Sequence, residues 1–144
     1  MKRIEALAPL SRDHHHTLIL AQLLKKSVPP YKGLPGSVED KIIYAQQQFE
    51  KEIKNHFEKE ERVLDKAIES NEAIKRISEE IKAEHKELET LFLSLDTVSN
   101  PADRMDELGR KLEAHIRKEE RVLFPLLQQH CSNDLLKDIH LQLH

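Results

Sequence analysis

Apolar positions along this chain recur every three to four residues in four long blocks separated by turn residues. That is the period of a helix with one buried face. The first block centres on Ile19, Leu20, Leu23 and Leu24. It predicts a helix that begins near Ser11, capped by Ser11 or Asp13, and stops before Pro29-Pro30. The stretch YKGLPG at 31–36 reads as a loop. A second helix starts near Ser37, where Ser37 and Asp40 make a weaker form of the capping box, and ends near Ser70-Asn71. Its stripe is Ile42, Phe49, Ile53, His56, Glu60, Val63, Leu64 and Ala67. The third stripe is Ile74, Ile77, Ile81, His85, Leu88, Phe92 and Leu95. After a loop at Asn100-Pro101, the fourth runs from about Ala102 to Gln129, with Met105, Leu108, Leu112, His115, Glu119, Val122 and Leu126 inward. Pro125 is expected to kink it or remodel its last turns. The amphipathic tail NDLLKDIHLQLH suggests a short fifth helix. The expected fold is all-α, an antiparallel up-and-down four-helix bundle with a short C-terminal extra helix, in a single domain over residues 1–144.

Composition agrees with this. Three glycines and six prolines in 144 residues leave room for long helices, and no strand pattern competes. The net charge of −3 comes from interspersed signs and gives no basic patch for nucleic acid. Cys131 is the only cysteine, so no internal disulfide can form. The start of the chain has no signal-peptide apolar run, and no segment is apolar enough for a membrane span. A cytoplasmic protein with no nucleic-acid or membrane partner is the expectation.

The stripes carry groups that helices seldom bury. Residues 56–64 read HFEKEERVL and residues 115–123 read HIRKEERVL. Positions i and i+4 lie about 40° apart around a helix, so His56 faces with Glu60 and His115 with Glu119. Burying such pairs demands partners, and imidazoles with carboxylates are a natural set of metal ligands. The third helix adds His85, with Glu89 four residues on and less well placed. The first helix holds His14, His15 and His16. Projected against Ile19, Leu20, Leu23 and Leu24, His16 falls inward, His15 at the margin, and His14 turns away. The candidate ligands are therefore His16, His56, Glu60, His85, Glu89, His115 and Glu119. Seven such groups oversupply one ion. They suit two ions sharing bridging carboxylates, for which Glu60 and Glu119 are the natural choices. Glu61, Arg62, Glu120 and Arg121 read mainly as solvated faces, some of which could hydrogen-bond to ligands. His130, His140 and His144 fall outside the pattern.

These residues resemble the hemerythrin-like, or HHE cation-binding, domain. The resemblance runs from DHHHTLILAQLL through HFEKEERVL and EHKELETL to HIRKEERVLFPLL. It implies a four-helix bundle holding two iron ions in a bridged non-haem di-iron centre, commonly oxo- or hydroxo-bridged. The matching positions are His16, His56, Glu60, His85, His115 and Glu119. The oxygen-carrying members have His-x-x-x-His on the third helix, where this chain has Glu89, and a longer His-to-Asp spacing on the fourth. These departures point away from reversible O2 carriage. They point toward sensing or handling O2, nitric oxide, peroxide or iron.

Other classes stay open at this stage. A di-iron enzyme could act on peroxide or nitric oxide, or repair damaged metal centres. A ferritin-like site needs Glu-x-x-His on two helices, and no Glu stands three residues before any histidine here. A metal-free interaction helix bundle would have to bury the same groups without a cation. Donor types alone leave other divalent metals possible. The expected ligand is a small diatomic or a peroxide, with any signal passed to a separate protein partner.

Overall fold

The computed structural model describes residues 3–26 and 32–144. Among these every regular element is helical. Helix α1 spans Ala8–Leu24 behind a 3-10 turn at Glu5–Leu7. It begins before the expected Ser11. Pro9 sits in its first turn, where a missing N–H breaks no intrahelical bond. The expected stop at Pro29-Pro30, with Tyr31 of the loop, lies outside the described residues.

Helix α2 runs on through Val38–Gln48, a π turn at Phe49–Ile53, and Lys54–Ala67. Its cap is as expected: the Asp40 N–H donates to Ser37 Oγ at 3.1 Å. Helix α3 is Glu72–Leu93, with the Ala73 N–H donating to Asn71 Oδ1 at 2.8 Å. Helix α4 comprises Pro101–Lys118, a second π turn at Glu119–Leu123, and Phe124–His130. Helix α5, Asn133–Leu143, is capped by Ser132 and packs on the opening 3-10 turn and on the end of α2.

The π turn in α4 corrects the expected stripe. In it the Phe124 N–H reaches back five residues to the Glu119 carbonyl. That slip inserts one extra residue and rotates the following face by roughly one helical step of about 100°. Leu123, Phe124 and Leu127 are therefore buried, whereas Val122 is 46% exposed and Leu126 only partly covered. In the first copy of the repeated word, which has no slip at that point, Val63 and Leu64 are both buried. Pro125 has no N–H for the Glu120 carbonyl that the slip leaves over. Arg3 Nη2 donates to that carbonyl instead, at 2.8 Å.

The core is in two parts. One gathers Leu20–Leu24 of α1, Ile42–Phe57 of α2, Leu88–Leu95 after the middle of α3, and Met105–Ile116 of α4. The other gathers Leu7 and Leu10, Val63–Ala67, Ile74–Ile81, Leu123–Leu127 and Ile139. Between them α1, α2, α3 and α4 each place a histidine. Helices α1 and α4 approach closely at Gly109, where a Cβ would stand 2.6 Å from the Ala21 carbonyl oxygen. No helix among the described residues is long and apolar enough to cross a membrane.

Candidate metal centre

Between the two apolar cores lies one polar layer. His14, His56, Glu60, His85, His115 and Glu119 are all at least 95% buried. Their donor atoms fall into two groups, His14–His56–Glu60–Glu119 and Glu60–His85–His115–Glu119. Within each group these atoms lie within 4.8 Å of one another. The groups share both carboxylates and divide the four imidazoles two and two. His14 Nε2 is 3.1 Å and His115 Nε2 3.2 Å from Glu119 Oε1. Glu60 stands 2.9 Å from His85 Nε2 and 3.3 Å from His56 Nε2.

The outer nitrogens explain why every Nε2 points inward. Asp13 of α1 takes His56 Nδ1 of α2 at 2.9 Å, and Glu61 of α2 takes His85 Nδ1 of α3 at 2.8 Å. Glu84 of α3 takes His115 Nδ1 of α4 at 2.7 Å, and Glu120 of α4 takes His14 Nδ1 of α1 at 2.6 Å. The four bonds close a ring around the molecule, each helix holding the imidazole of the next. A carboxylate on Nδ1 fixes the tautomer and ring orientation, and leaves Nε2 as the ligating atom. Each holding carboxylate is the chain neighbour of an inward residue: Asp13 beside His14, Glu61 beside Glu60, Glu84 beside His85, Glu120 beside Glu119. Glu120 is itself clamped by Arg3 at 3.0 Å and by Ser11 Oγ. The rings are also packed flat. Phe57 stacks on His85 at 4.0 Å between centroids, and Phe124 on His14 at 5.5 Å.

Protein groups alone do not satisfy this layer. Glu60 Oε2, both oxygens of Glu119 and His115 Nε2 are buried and make only the close imidazole–carboxylate approaches given above, without a well-aligned hydrogen bond, a costly condition that calls for an explanation. His14 and His56 face each other with Nε2 atoms 3.2 Å apart. With both Nδ1 protons directed at carboxylates, neutral rings would oppose two lone pairs. A proton or a cation between them relieves this. Without a cation, protons are held. Burial opposes charge on His56, but hydrogen bonds to Asp13 and Glu60 outweigh it and raise its pKa to about 10. His115 rises to about 10 against the same penalty through the charge and hydrogen bond of Glu119, and His14 to about 8 through Glu119 and Glu120. Beside the His115 ring, Glu84 falls to about 2. The donor set fits two cations: two imidazole nitrogens and two shared carboxylates each, borderline and hard ligands together.

Two expected ligands are not in this layer. His16 is exposed, as is His15, and the buried histidine of α1 is His14. The inward stripe is set by Leu7, Leu10, Ala21 and Leu24, which share a face with residue 14. Of the four residues that defined the expected face, Leu20, Leu23 and Leu24 are buried and Ile19 is 39% exposed, so the buried arc is wide at that end of the helix and does not fix the angle at residue 14. Glu89 is also exposed, about 100° past the buried Leu88. The third helix brings one donor, His85, and its useful acid is Glu84. His56, Glu60, His85, His115 and Glu119 are brought together as a group. Sequence reasoning left Glu84 and Asp13 unconsidered as partners and read Glu61 and Glu120 mainly as solvated. The signal was available in the doubled acids of both KEER words.

A family model described as "Hemerythrin HHE cation binding domain" matches residues 5–127 and, in a second overlapping match, residues 76–144. The second match falls on the half that carries the second copy of the repeated word. No curated protein and no solved structure gives a match.

Proposed function

Because the chain belongs to the hemerythrin HHE cation-binding family, we propose that it is an up-and-down four-helix bundle whose metal layer holds two iron ions bridged by Glu60 and Glu119. We further propose that it binds or senses a small neutral ligand there. One observation carries the two-ion reading: two donor groups share two carboxylates, and every imidazole has its own acid behind it. The bundle topology is supported by the cores. Successive helices α1 to α4 enter them in alternating order, as an antiparallel arrangement requires. His14 and His56 would hold one ion and His85 and His115 the other, in place of the His16 and Glu89 first expected. Two dications also balance the two inner carboxylates and part of the acid ring.

Bound iron supplies redox chemistry and coordination positions beyond the four protein donors that reach each ion. The chain's own residues hold the imidazole tautomers, exclude water and neutralise charge. Beside the layer runs a crevice lined by Thr17, Ile53, Phe57, Leu112 and Ile116 together with the inward His14, His56, His115 and Glu119. Its non-ligand walls are apolar apart from Thr17, whose hydroxyl donates to the Asp13 carbonyl at 3.1 Å. No uncommitted acid or base faces it among the described residues. A positioned group that moves protons speeds peroxide breakdown or other turnover by about 10²–10⁴-fold. This favours binding or sensing over an enzyme. Anaerobic iron loading followed by equilibrium titration with nitric oxide, and a steady-state peroxide assay on the same sample, tests the reading. Saturable binding with negligible turnover supports it. Rapid sustained turnover overturns the choice of sensor over enzyme.

A further inference from the structure

A cavity of about 490 Å³ opens between α1 and α2, on the outer side of the metal layer. Its lining includes the carboxylates of Asp13 and Glu52 and the exposed imidazole of His16, and among the described residues neither lysine nor arginine lines it. Its inner end is formed by Thr17, Ile53 and His56, and these same three residues also wall the inner crevice beside the metal layer. The crevice is too tight for a water-sized sphere. A wide cavity and a narrow crevice are thus separated by one layer of side chains. In that layer His56 is held by Asp13, and Thr17 by the Asp13 carbonyl. Ile53 is 3% exposed and has no polar tie. It is the last residue of the π turn Phe49–Ile53, and π turns concentrate at functional positions.

A second cavity, of about 270 Å³, lies between α3 and α4, but it shares only His115 with the crevice. Ion pairs Lys111–Glu87 and Lys118–Glu84 span it. The α1–α2 side is therefore the thinner wall.

We propose that Ile53, with Thr17, is the gate through which ligand passes from the α1–α2 cavity to the metal layer, and that it selects neutral diatomic molecules. The two lining carboxylates repel anions. Thr17 and His56 in the wall are already tied to Asp13, and Ile53 offers no polar group, so the passage gives little to replace the water that a charged or strongly hydrogen-bonding molecule must shed. Rotation of one isoleucine side chain opens a passage for two atoms and little more. Ile53 is a specificity-determining residue on this account, and touches no metal ligand's chemistry directly. The proposal rests on the small-ligand reading above, so its test includes a measurement that needs no iron.

In zinc-loaded protein under oxygen pressure, dissolved O2 speeds the NMR relaxation of the methyl groups it visits. The gate account expects enhancement at Leu112 and Ile116 as well as at Ile19 of the outer cavity, because the passage admits O2 to the crevice; substitutions at Ile53 change how fast a molecule enters and are read by rate. In iron-loaded protein, Ile53→Phe should slow nitric oxide association by roughly tenfold or more, and Ile53→Val should speed it, both at unchanged iron content. Nitric oxide association that is indifferent to both substitutions overturns the gate. So does an absence of enhancement in folded wild-type protein. Entry of O2 to Leu112 and Ile116 in the zinc form with no nitric oxide binding in the iron form leaves the passage standing and overturns the functional reading instead.

Discussion

Replacing His14 by Ala separates the structure's site from the one its first helix suggests on paper. The substitution removes one of the two imidazoles from one donor group and leaves Glu119 and Glu120 facing a gap. Loss of an outer partner of a metal-bound histidine alone weakens metal binding by about 10- to 100-fold. Loss of the ligating nitrogen should do at least that. At about 1.4 kcal/mol per tenfold, the metal-linked stability falls by at least about 1.4–2.8 kcal/mol. For a domain of this size roughly 4 °C accompanies each kcal/mol, so the metal-dependent part of Tm drops by about 5–11 °C. A smaller loss persists in chelator, since the ring also stacks on Phe124, a contact worth about 0.5–1.5 kcal/mol. The exposed His16→Ala control should change stability by no more than about 0.5 kcal/mol with or without metal. Metal content per chain and thermal melts, loaded and chelated, read both variants. If His16→Ala sheds metal while His14→Ala keeps both ions, the assignment of α1 is wrong.

Glu84→Gln, which keeps shape but weakens the hold on His115 Nδ1, should lower metal affinity by about 10- to 100-fold. Glu89→Gln on the exposed face should leave it unchanged, and equal effects in competition titrations would contradict the ring of acids. Gly109→Ala gains about 1 kcal/mol of helix propensity. It nonetheless forces α4 off the Ala21 carbonyl, so denaturant melts should show a net loss of about 1–3 kcal/mol. A more stable variant would mean the helices part freely there. In metal-free protein, His56 and His115 are raised to about 10 and His14 to about 8. A raised histidine stabilises fully below its ordinary value of about 6.5, and that contribution fades as pH climbs to the raised value. Metal-free Tm should therefore fall between about pH 6.5 and pH 10. Metal affinity should climb over the same window, because the ligating rings must be deprotonated. A metal-free Tm that rises with pH across it contradicts the protonated layer.

How far the sequence reached is clearest on α2 and α3. Every inward position read there, from Ile42 to Ala67 and from Ile74 to Leu95, is buried. The reason is that an unbroken apolar stripe fixes the angle of whatever polar group it contains. Even the π turn in α2 leaves that stripe intact, because Phe49 and Ile53 are buried on both sides of it. On α1 the angle came from Ile19, Leu20, Leu23 and Leu24, a wide arc of which all but Ile19 is buried, and from a helix start placed after Leu7 and Leu10, which set the face at residue 14. On α4 a five-residue hydrogen-bond loop shifts Val122 out and Leu127 in. Periodicity cannot show such a slip, although Pro125 marks its place. The acid ring was hidden for another reason. Asp13, Glu61, Glu84 and Glu120 sit one residue from the stripe, where charged side chains normally meet solvent. Only the approach of the next helix turns them into partners.

The most direct test of the central account is metal content per chain after anaerobic iron loading, read with the magnetic susceptibility of the oxidised sample. Two ions sharing Glu60 and Glu119 should give two irons per chain with coupled spins. Glu60→Ala and Glu119→Ala should each lower the count and abolish the coupling. One iron per chain, or two irons with independent spins in the folded wild-type protein, would contradict a centre built on shared carboxylates.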